Sequence, residues 1–346
     1  MPTIQQYFQF AQLMQAAYAF LNTSSQRDAQ TLSLRNADTG EFTLDQANAF
    51  LNTYQVVHAL PNDASGFSAT LFKSQSGEFT LAIRGTERLT SDPPDLADAD
   101  VDIFTNGIAR DQIISLYNYY QRLITPVEQN VAQWEVVLVD TGLGLVKEYQ
   151  RTGTATGLGV LNPTDTLSVS GHSLGGHLAL AFSRLFPTVT TQVYTYDAPG
   201  FKATPFVNDF FAMLGGATGF PATKITNLFA DPRFEIIAGL HGLYQDPTRF
   251  GLSIPVVTED QGFSIPGNHG KAILTDALAL YDLFATLNGQ LDVQTVTDIL
   301  KATAGSDGET LERGLDAVRK LFQGSQPTAT PVGNREAYYS SLLAFK

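Results

Sequence analysis

The chain has 346 residues, of which 43% are hydrophobic, so it is long enough to bury a sizeable core in one large α/β domain or in a domain with an appendage. Its net charge of −13 at pH 7 and its isoelectric point of about 4.7 argue against nucleic acid or an anionic lipid surface as a partner. Because the chain is acidic, we expect any contact with lipid to be made through apolar surface. The sequence also contains no cysteine, which excludes disulfides and thiolate sites.

The N-terminal segment predicts an amphipathic helix over residues 7–21. Gln9, Gln12 and Gln15 interrupt its apolar residues, which argues against a membrane span. The residues before it lack the basic and apolar regions of a secretory signal, so the sequence does not support export by an N-terminal signal.

Short apolar runs bounded by turn residues then predict strands at 56–60, 66–72, 78–83, 166–170, 192–196, 225–230 and 253–257. Apolar residues at helical spacing predict helices near 44–54, 111–123, 133–149, 206–214 and 272–284. This alternation of strands and helices predicts a mostly parallel sheet with helices on both faces.

Beyond Leu287 the pattern changes to helices alone, near 293–300, 311–322 and 338–345. We therefore expect a catalytic α/β domain over residues 1–287. Residues 288–346 are expected to form a helical C-terminal appendage, packed on that domain or following it.

The most informative segment is Gly171-His172-Ser173-Leu174-Gly175-Gly176, which matches the pattern G-x-S-x-G. It lies between a predicted strand and a predicted helix, the context of a nucleophile elbow. Such a turn lifts the serine hydroxyl clear of the sheet at a helix N-terminus, where a developing negative charge is favoured. The pattern therefore predicts Ser173 as a nucleophile for acyl transfer.

A serine nucleophile needs a base, and His269 has the expected place in the chain order, in a loop after the last core strand and before a helix. His241 lies ahead of that strand. Of the remaining histidines, His58 is interpreted as a packed or surface residue and His177 as a structural residue. His172 lies inside the elbow, and its side chain is expected to point away from the Ser173 hydroxyl.

The base needs an acid that orients it, and the chain order favours Asp231, which ends the strand at 225–230 and precedes a proline. Asp260, at the end of the last strand, and Asp246, also before a proline, remain alternatives.

Two backbone donors are expected around the oxyanion. One is the N–H of Leu174, directly after the nucleophile. The other should come from the loop after an earlier core strand, where Arg84-Gly85-Thr86 ends the strand at 78–83. Gly85 allows a close backbone approach, and the Thr86 hydroxyl could add a donor.

Three segments together resemble the class 3 lipases, most closely bacterial lipases and esterases that accompany calcium-binding repeats in type I-secreted proteins. They are Leu81-Ala82-Ile83-Arg84-Gly85-Thr86, Ser170-Gly171-His172-Ser173-Leu174-Gly175-Gly176 and Tyr194-Thr195-Tyr196-Asp197-Ala198-Pro199-Gly200. The resemblance implies an α/β-hydrolase fold and hydrolysis of carboxylic esters. It implies Ser173 as nucleophile, Thr86 as an oxyanion residue and His269 as base. It also implies secretion without an N-terminal signal peptide rather than a cytoplasmic location.

The sequence departs from this resemblance in two respects. Its acid segment, residues 229–234, matches the family's Asp-Pro turn only loosely, and no glycine-rich nonapeptide repeat is present. No cofactor is expected to be required for the chemistry, and no metal ligand is assigned. The acidic run from Asp92 to Asp102 could hold a structural Ca²⁺, although an ordinary solvated loop is the favoured interpretation.

The leading hypothesis is a lipase or esterase that cleaves acylglycerol-type or other fatty-acyl esters through Ser173, His269 and Asp231. A phospholipase A1-type hydrolase and a non-catalytic secreted binding module are the alternatives. The aromatic-rich helix predicted at 206–214, followed by Gly215-Gly216, could line an acyl trough, act as a lid or be an ordinary core helix. The expected partners are a lipid or ester substrate and a lipid–water interface, with no nucleic acid and no transmembrane segment.

Overall fold

A computed structural model describes residues 2–19, 21, 29–34, 39–85, 102–103, 106–142, 144–231, 250–259, 269–303, 310–323 and 328–346. Its strands are β1 (Tyr54–Leu60), β2 (Ala69–Ser74), β3 (Phe79–Ile83), β4 (Asn130–Asp140), β5 (Leu145–Thr156), β6 (Leu167–His172), β7 (Thr190–Tyr196), β8 (Ile225–Asp231) and β9 (Leu252–Val257). Its helices are α1 (Ile4–Ala16), α2 (Ala29–Ser33), α3 (Leu44–Leu51), α4 (Arg110–Ile124), α5 (Leu174–Leu185), α6 (Pro205–Met213), α7 (Lys271–Leu287), α8 (Val293–Thr303), α9 (Leu311–Gln323) and α10 (Arg335–Phe345).

Seven of these strands form one sheet in the order β1-β2-β3-β6-β7-β8-β9. The pairs β1–β2 and β2–β3 are antiparallel, and every pair from β3 to β9 is parallel. Helices pack on both faces, so the predicted mostly parallel sheet of the α/β-hydrolase type is confirmed. Because the strands from β3 to β9 run in one direction, their carboxyl ends meet at one edge of the sheet.

The two faces of the sheet are separated by the alternation of side chains along each strand. On β7, Val193 points into a core shared with α4 and α5, whereas Tyr194 and Tyr196 point into a core shared with α1 and α7. Helix α1 is fixed to the second face by polar contacts as well, since the Ser170 hydroxyl donates to the Phe10 carbonyl at 2.9 Å. Helix α1 thus packs against β6, the strand that leads to Ser173.

The start of helix α1 is stabilised by two polar side chains of its own sequence. The Thr3 hydroxyl accepts the Gln6 N–H, and the Gln6 side chain accepts the Thr3 N–H, which is a capping box. Thr43 and Gln46 repeat this arrangement at α3. Helix α3 is shorter than predicted, because the chain enters β1 at Tyr54.

The helix predicted over residues 133–149 is wrong. These residues form an antiparallel ribbon of β4 and β5, in which Val136 pairs with Tyr149 and Val139 pairs with Val146. Four of the eleven residues of β4 are valines, which favour strands. Gly142 and Gly144 have φ values of 76° and 137°, which suit a turn between two strands. The apolar run is compatible with a helix or with a strand. The two glycines favour the ribbon, because they suit a tight turn between two strands.

The C-terminal helices join the core on the α1–α7 side of the sheet. Val296 of α8, Leu315 of α9 and Leu342 of α10 are buried in the same cluster as Tyr281 of α7. Arg335 of α10 also pairs with the buried Asp276 of α7. The proposed boundary between residues 287 and 288 stays a prediction. Within the described ranges, no helix is both long and apolar enough to cross a membrane.

Candidate active site

Ser173 lies in a strained turn between β6 and α5. Its φ of 54° and ψ of −127° are rare for a residue with a side chain. The Ser173 N–H donates to the Tyr196 carbonyl of the neighbouring strand at 2.9 Å, which anchors the turn. Because α5 begins at Leu174, the serine stands at the positive end of that helix.

The glycines of this turn are required by close packing. A Cβ on Gly171 would collide with the Gly175 carbonyl, and a Cβ on Gly175 would collide with the Ile83 carbonyl at the end of β3. The start of α5 therefore lies against both β6 and the chain that leaves β3. This strand–turn–helix geometry is the one that the pattern predicted for an elbow.

Of the two predicted oxyanion donors, one lies within the described residues. Leu174 opens the first turn of α5, where backbone N–H groups lack a partner four residues earlier in the helix. Thr86 lies outside the described residues. Its neighbour Gly85 is close to the elbow, because a Cβ there would collide with the His172 carbonyl.

His172 and Tyr18 connect the parts of this site. The His172 Nε2 lies 2.9 Å from the His269 carbonyl oxygen, and the Tyr18 hydroxyl lies 3.2 Å from the His172 Nδ1. A carbonyl only accepts, so Nε2 carries the proton; in the neutral ring Nδ1 then accepts from Tyr18. The Tyr18 hydroxyl in turn accepts the Gly85 N–H at 3.0 Å. One network thus joins the chain after β3, the elbow and the loop of His269.

The charge state of His172 agrees with this network. Burial is the first cause that lowers the pKa of His172 well below 6.5, and the nearby charges of His269 and Lys271 lower it further. His172 is 5% exposed, so it is neutral at neutral pH and acts as a positioning group.

His269 stands beside His172, with ring centroids 4.6 Å apart. Its other neighbour is Asp197, which directly follows β7: one ligand atom from each of His172, Asp197 and His269 lies within 4.8 Å of the others. The Asp197 side chain is fully buried, and its Oδ1 accepts the Ala230 N–H at 2.8 Å. The structure thus brings a buried carboxylate to the predicted base.

Asp231, the acid predicted from chain order, ends β8 at the same edge of the sheet. Its Oδ2 accepts a hydrogen bond from the Lys301 Nζ at 2.9 Å, and its side chain is 32% exposed. The alternatives Asp246 and Asp260 lie outside the described residues, as does His241.

Two other histidines are packed as predicted. The His177 Nε2 accepts the Ala109 N–H at 3.3 Å, its Nδ1 donates to the Gly200 carbonyl, and its ring stacks on Phe201. The His58 Nδ1 lies 2.9 Å from the Tyr119 hydroxyl, and burial lowers the pKa of His58.

His172, Asp197 and His269 are also residue types that bind metal ions. Both ring nitrogens of His172 already have hydrogen-bond partners, so a cation there would have to displace Tyr18 or the His269 carbonyl. The acidic run predicted to be a solvated loop or a Ca²⁺ site is described only at its end, where Asp102 pairs with Arg110 at 3.0 Å.

Helix α6 has two different faces. Val207, Phe210 and Phe211 are buried in the core, whereas Phe206 and Met213 are 45% and 39% exposed. The buried face agrees with the interpretation of α6 as a core helix. The side chains of Phe206 and Met213 add apolar area to the protein surface.

Sequence reasoning missed Asp197 and Tyr18 as members of this site. A signal for Asp197 was available, because it directly follows the strand after the elbow strand. Tyr18 carried no comparable signal, since it follows a helix about 150 residues earlier in the chain.

No family model and no curated protein matches this chain. Among solved structures, it is similar to a deletion mutant of the Rhizomucor miehei lipase propeptide complex, with 12% identity over 73% of this chain and 67% of that chain and a TM-score of 0.37. It is also similar to a fungal lipase–inhibitor complex, with 12% identity over 75% of this chain and 80% of that chain and a TM-score of 0.34. A third likeness is to a triacylglycerol lipase described as having a serine protease triad, with 13% identity over 66% and 71% and a TM-score of 0.30.

These neighbours are lipases, but at such TM-scores the likenesses carry no argument about the activity of this chain. The association with bacterial type I-secreted proteins, which the sequence resemblance implied, finds no support among them.

Proposed function

We propose that this chain is a serine carboxylic-ester hydrolase acting on acylglycerol-type or other fatty-acyl esters. The observation that carries the proposal is the conformation of Ser173, which combines a positive φ with a position at the N-terminus of α5. A strained serine at a helix N-terminus is the arrangement that acyl transfer needs.

In the proposed reaction, His269 takes the proton of the Ser173 hydroxyl as the serine oxygen forms a bond to the ester carbonyl carbon. The backbone N–H groups of Leu174 and Thr86 hold the oxyanion. His269 then protonates the leaving alcohol. A water molecule, deprotonated by His269, attacks the acyl carbon, and His269 returns this proton to the Ser173 oxygen as the acid is released. Losing one oxyanion donor costs on the order of 3 kcal/mol of transition-state stabilisation.

The third member of the proposed machinery is a carboxylate that orients His269. Chain order predicts Asp231, and Asp197 lies beside His269 in the structure. The choice between them is independent of the reaction class, because either would stabilise the same imidazolium.

The substrate class rests on apolar surface rather than on charge. The chain carries a net charge of −13, which repels anionic substrates, while α6 exposes Phe206 and Met213. The proposed mechanism requires no cofactor, so the rate of hydrolysis should be unchanged by a calcium chelator as long as the fold persists.

The test is covalent labelling with a fluorophosphonate probe, combined with hydrolysis of p-nitrophenyl esters of increasing chain length below and above their solubility. Wild type should be labelled and active, and Ser173→Ala should lose both properties. Ser168→Ala is the matched control on the same strand, because its hydroxyl pairs with the Thr191 hydroxyl of β7 at 2.8 Å and should be dispensable.

A folded wild type that neither takes the label nor hydrolyses any ester would contradict the proposal and favour a binding module. Preference for phosphatidylcholine over glycerides would instead identify a phospholipase A1-type hydrolase with the same nucleophile.

A further inference from the structure

We propose that the tip of the β4–β5 ribbon, residues 136–146, docks the protein onto the surface of a lipid aggregate that has no net charge. This inference rests on the proposed function, because fatty-acyl esters of low solubility are presented at such surfaces, and it names the segment that meets them. The composition of the ribbon tip, its exposed side chains and its place beside the elbow support the inference.

The ribbon tip is rich in aliphatic residues and poor in charge. Seven of its eleven residues are valine or leucine, and Asp140 is its one charged residue. The Asp140 carboxylate accepts the Gly142 N–H at 2.8 Å, inside the turn. The connection between two surface strands normally consists of polar residues, because its side chains face water. Turn formation alone therefore does not explain the composition of the tip.

The ribbon tip exposes large aliphatic side chains on both faces of the ribbon. Leu138 and Leu145 are 59% and 68% exposed, and Val146 is 48% exposed. Leu145 and Val146 are consecutive residues of β5, so their side chains point to opposite faces. A protein partner that packs on a sheet covers one face, whereas insertion into a lipid surface covers both.

The ribbon runs along α4 towards the N-terminal end of that helix. Near the base of the ribbon, the Asn118 side chain binds the N–H and the carbonyl of Trp134 at 2.9 and 2.8 Å. Farther along, Asp111 in the first turn of α4 accepts hydrogen bonds from the Lys147 Nζ and the Tyr149 hydroxyl. Two more residue pairs follow before the turn, which is about 7 Å along the strands. The tip therefore projects past the start of α4.

The N-terminal end of α4 lies beside the elbow. The Ala109 N–H, directly before α4, donates to the His177 Nε2 at 3.3 Å, and His177 lies in the first turn of α5. The Arg110 guanidinium lies over the ring of the half-exposed Phe206 at 5.1 Å. A lipid surface that receives the ribbon tip is thus on the side of the molecule where an ester must reach Ser173.

The charge of the protein selects the kind of lipid surface. The chain carries a net charge of −13, which repels an anionic surface. The ribbon tip contains no lysine or arginine that could compensate for this repulsion. Binding must therefore come from the transfer of aliphatic side chains out of water, and a surface without net charge opposes that transfer least.

A second copy of this chain fits the ribbon tip less well. A standard protein interface buries about 800 Å² on each partner and uses roughly 20–30 residues of each. The eleven residues of the tip are about half of that number. Two copies would also each bring a net charge of −13 to the contact.

The first test is flotation with phosphatidylcholine vesicles, carried out with Ser173→Ala protein so that no lipid is hydrolysed. This protein should float with the vesicles. Adding Leu138→Gln and Leu145→Gln should lower the partition coefficient at least about tenfold, because two exposed leucines no longer enter the lipid. The matched control combines Leu44→Gln and Leu321→Gln, since these leucines are 48% and 77% exposed on α3 and α9. It should bind within about twofold of its parent, and thermal unfolding checks that each variant is folded.

A fluorescent label locates the contact. The chain contains no cysteine, so Thr141→Cys can be labelled at a single position in the ribbon tip with an environment-sensitive fluorophore. Phosphatidylcholine vesicles should shift its emission to shorter wavelength and reduce its quenching by iodide. Ser76→Cys is the control, because Ser76 is exposed in the turn between β2 and β3 at the opposite edge of the sheet. A label there should show neither change.

The proposal is overturned if the Ser173→Ala protein does not float, if the two tip substitutions leave its flotation unchanged, or if the label at Thr141 does not respond. Stronger binding when anionic phosphatidylglycerol replaces part of the phosphatidylcholine would also overturn it, because the contact would then be electrostatic. A dimer that dissociates on the two tip substitutions, seen by light scattering, would assign the tip to a second copy instead. Failure of the proposed function is a separate result, namely a wild type without ester hydrolysis, and flotation of the Ser173→Ala protein does not depend on it.

Discussion

The hydroxyl of Tyr18 is a single group on which two segments of the site depend. It accepts the Gly85 N–H at 3.0 Å and donates to the His172 Nδ1 at 3.2 Å, and Tyr18 is only 3% exposed. Because Gly85 directly precedes Thr86, this contact bears on the placement of a proposed oxyanion donor. We expect Tyr18 to act by positioning and not by contact with substrate.

We predict that Tyr18→Phe lowers the free energy of unfolding by about 1–3 kcal/mol, because it leaves the buried Gly85 N–H without its acceptor. It should also lower kcat/KM for ester hydrolysis by roughly tenfold or more, since a displacement of about 1 Å in such a site has large kinetic effects. Chemical denaturation and steady-state kinetics measure the two effects.

The matched control for this prediction is Tyr7→Phe, whose hydroxyl donates to the Pro2 carbonyl at the chain terminus. It should change the activity by less than twofold. Equal losses of activity in the two variants would show that the Tyr18 hydroxyl has no special relation to the site.

Among the secondary-structure elements, the unit of β6, the elbow and α5 has little tolerance for added atoms. Gly175 brings α5 against the end of β3, where a Cβ would collide with the Ile83 carbonyl and approach the Arg84 carbonyl carbon at 2.9 Å. These are backbone atoms, so the collision cannot be relieved by a side-chain rotation.

We predict that Gly175→Ala destabilises the protein by about 3 kcal/mol or more and abolishes labelling of Ser173, because the helix must shift away from the chain that leaves β3. Gly289→Ala is the control, since nothing lies within 4 Å of a Cβ at that position. Thermal unfolding of both variants provides the measurement, and an unchanged melting temperature for Gly175→Ala would disprove the close packing.

The elements also show where sequence patterns suffice and where they do not. The elbow was predictable because strand, turn and helix are specified by residues 166–185, which are close together in the chain. The ribbon of β4 and β5 was predicted as a helix, because its apolar residues are nearly continuous and neither periodicity dominates. Gly142 and Gly144, between the two strands, indicate a turn and predict the ribbon better than the apolar pattern does.

For the whole molecule, α10 is bound to α7 through a buried ion pair. The Arg335 guanidinium contacts both oxygens of Asp276 on α7, and the Tyr339 hydroxyl donates to the same carboxylate at 2.8 Å. Asp276 has a side-chain exposure of 9%, so water can replace little of what Arg335 supplies.

We predict that Arg335→Met lowers the free energy of unfolding by about 3 kcal/mol, because it leaves a buried carboxylate without its cation. Lys301→Met, which removes a cation from the half-buried Asp231, should cost less than about 1 kcal/mol. Urea denaturation should show a single transition for both variants if α8, α9 and α10 unfold with the sheet domain. A separate early transition in Arg335→Met would support the boundary predicted after residue 287.

The sequence by itself determined the fold class and the nucleophile candidate, because both are encoded by local periodicity and by glycines within a few residues of Ser173. It also predicted His269 from the order of elements. Only the tertiary structure decided which side chains surround that histidine. Parallel strands bring several aspartates to the same edge of the sheet, and whether each is buried or paired with a lysine depends on contacts from distant segments. Asp197 and Tyr18 therefore emerged as neighbours of the site only when the chain was folded.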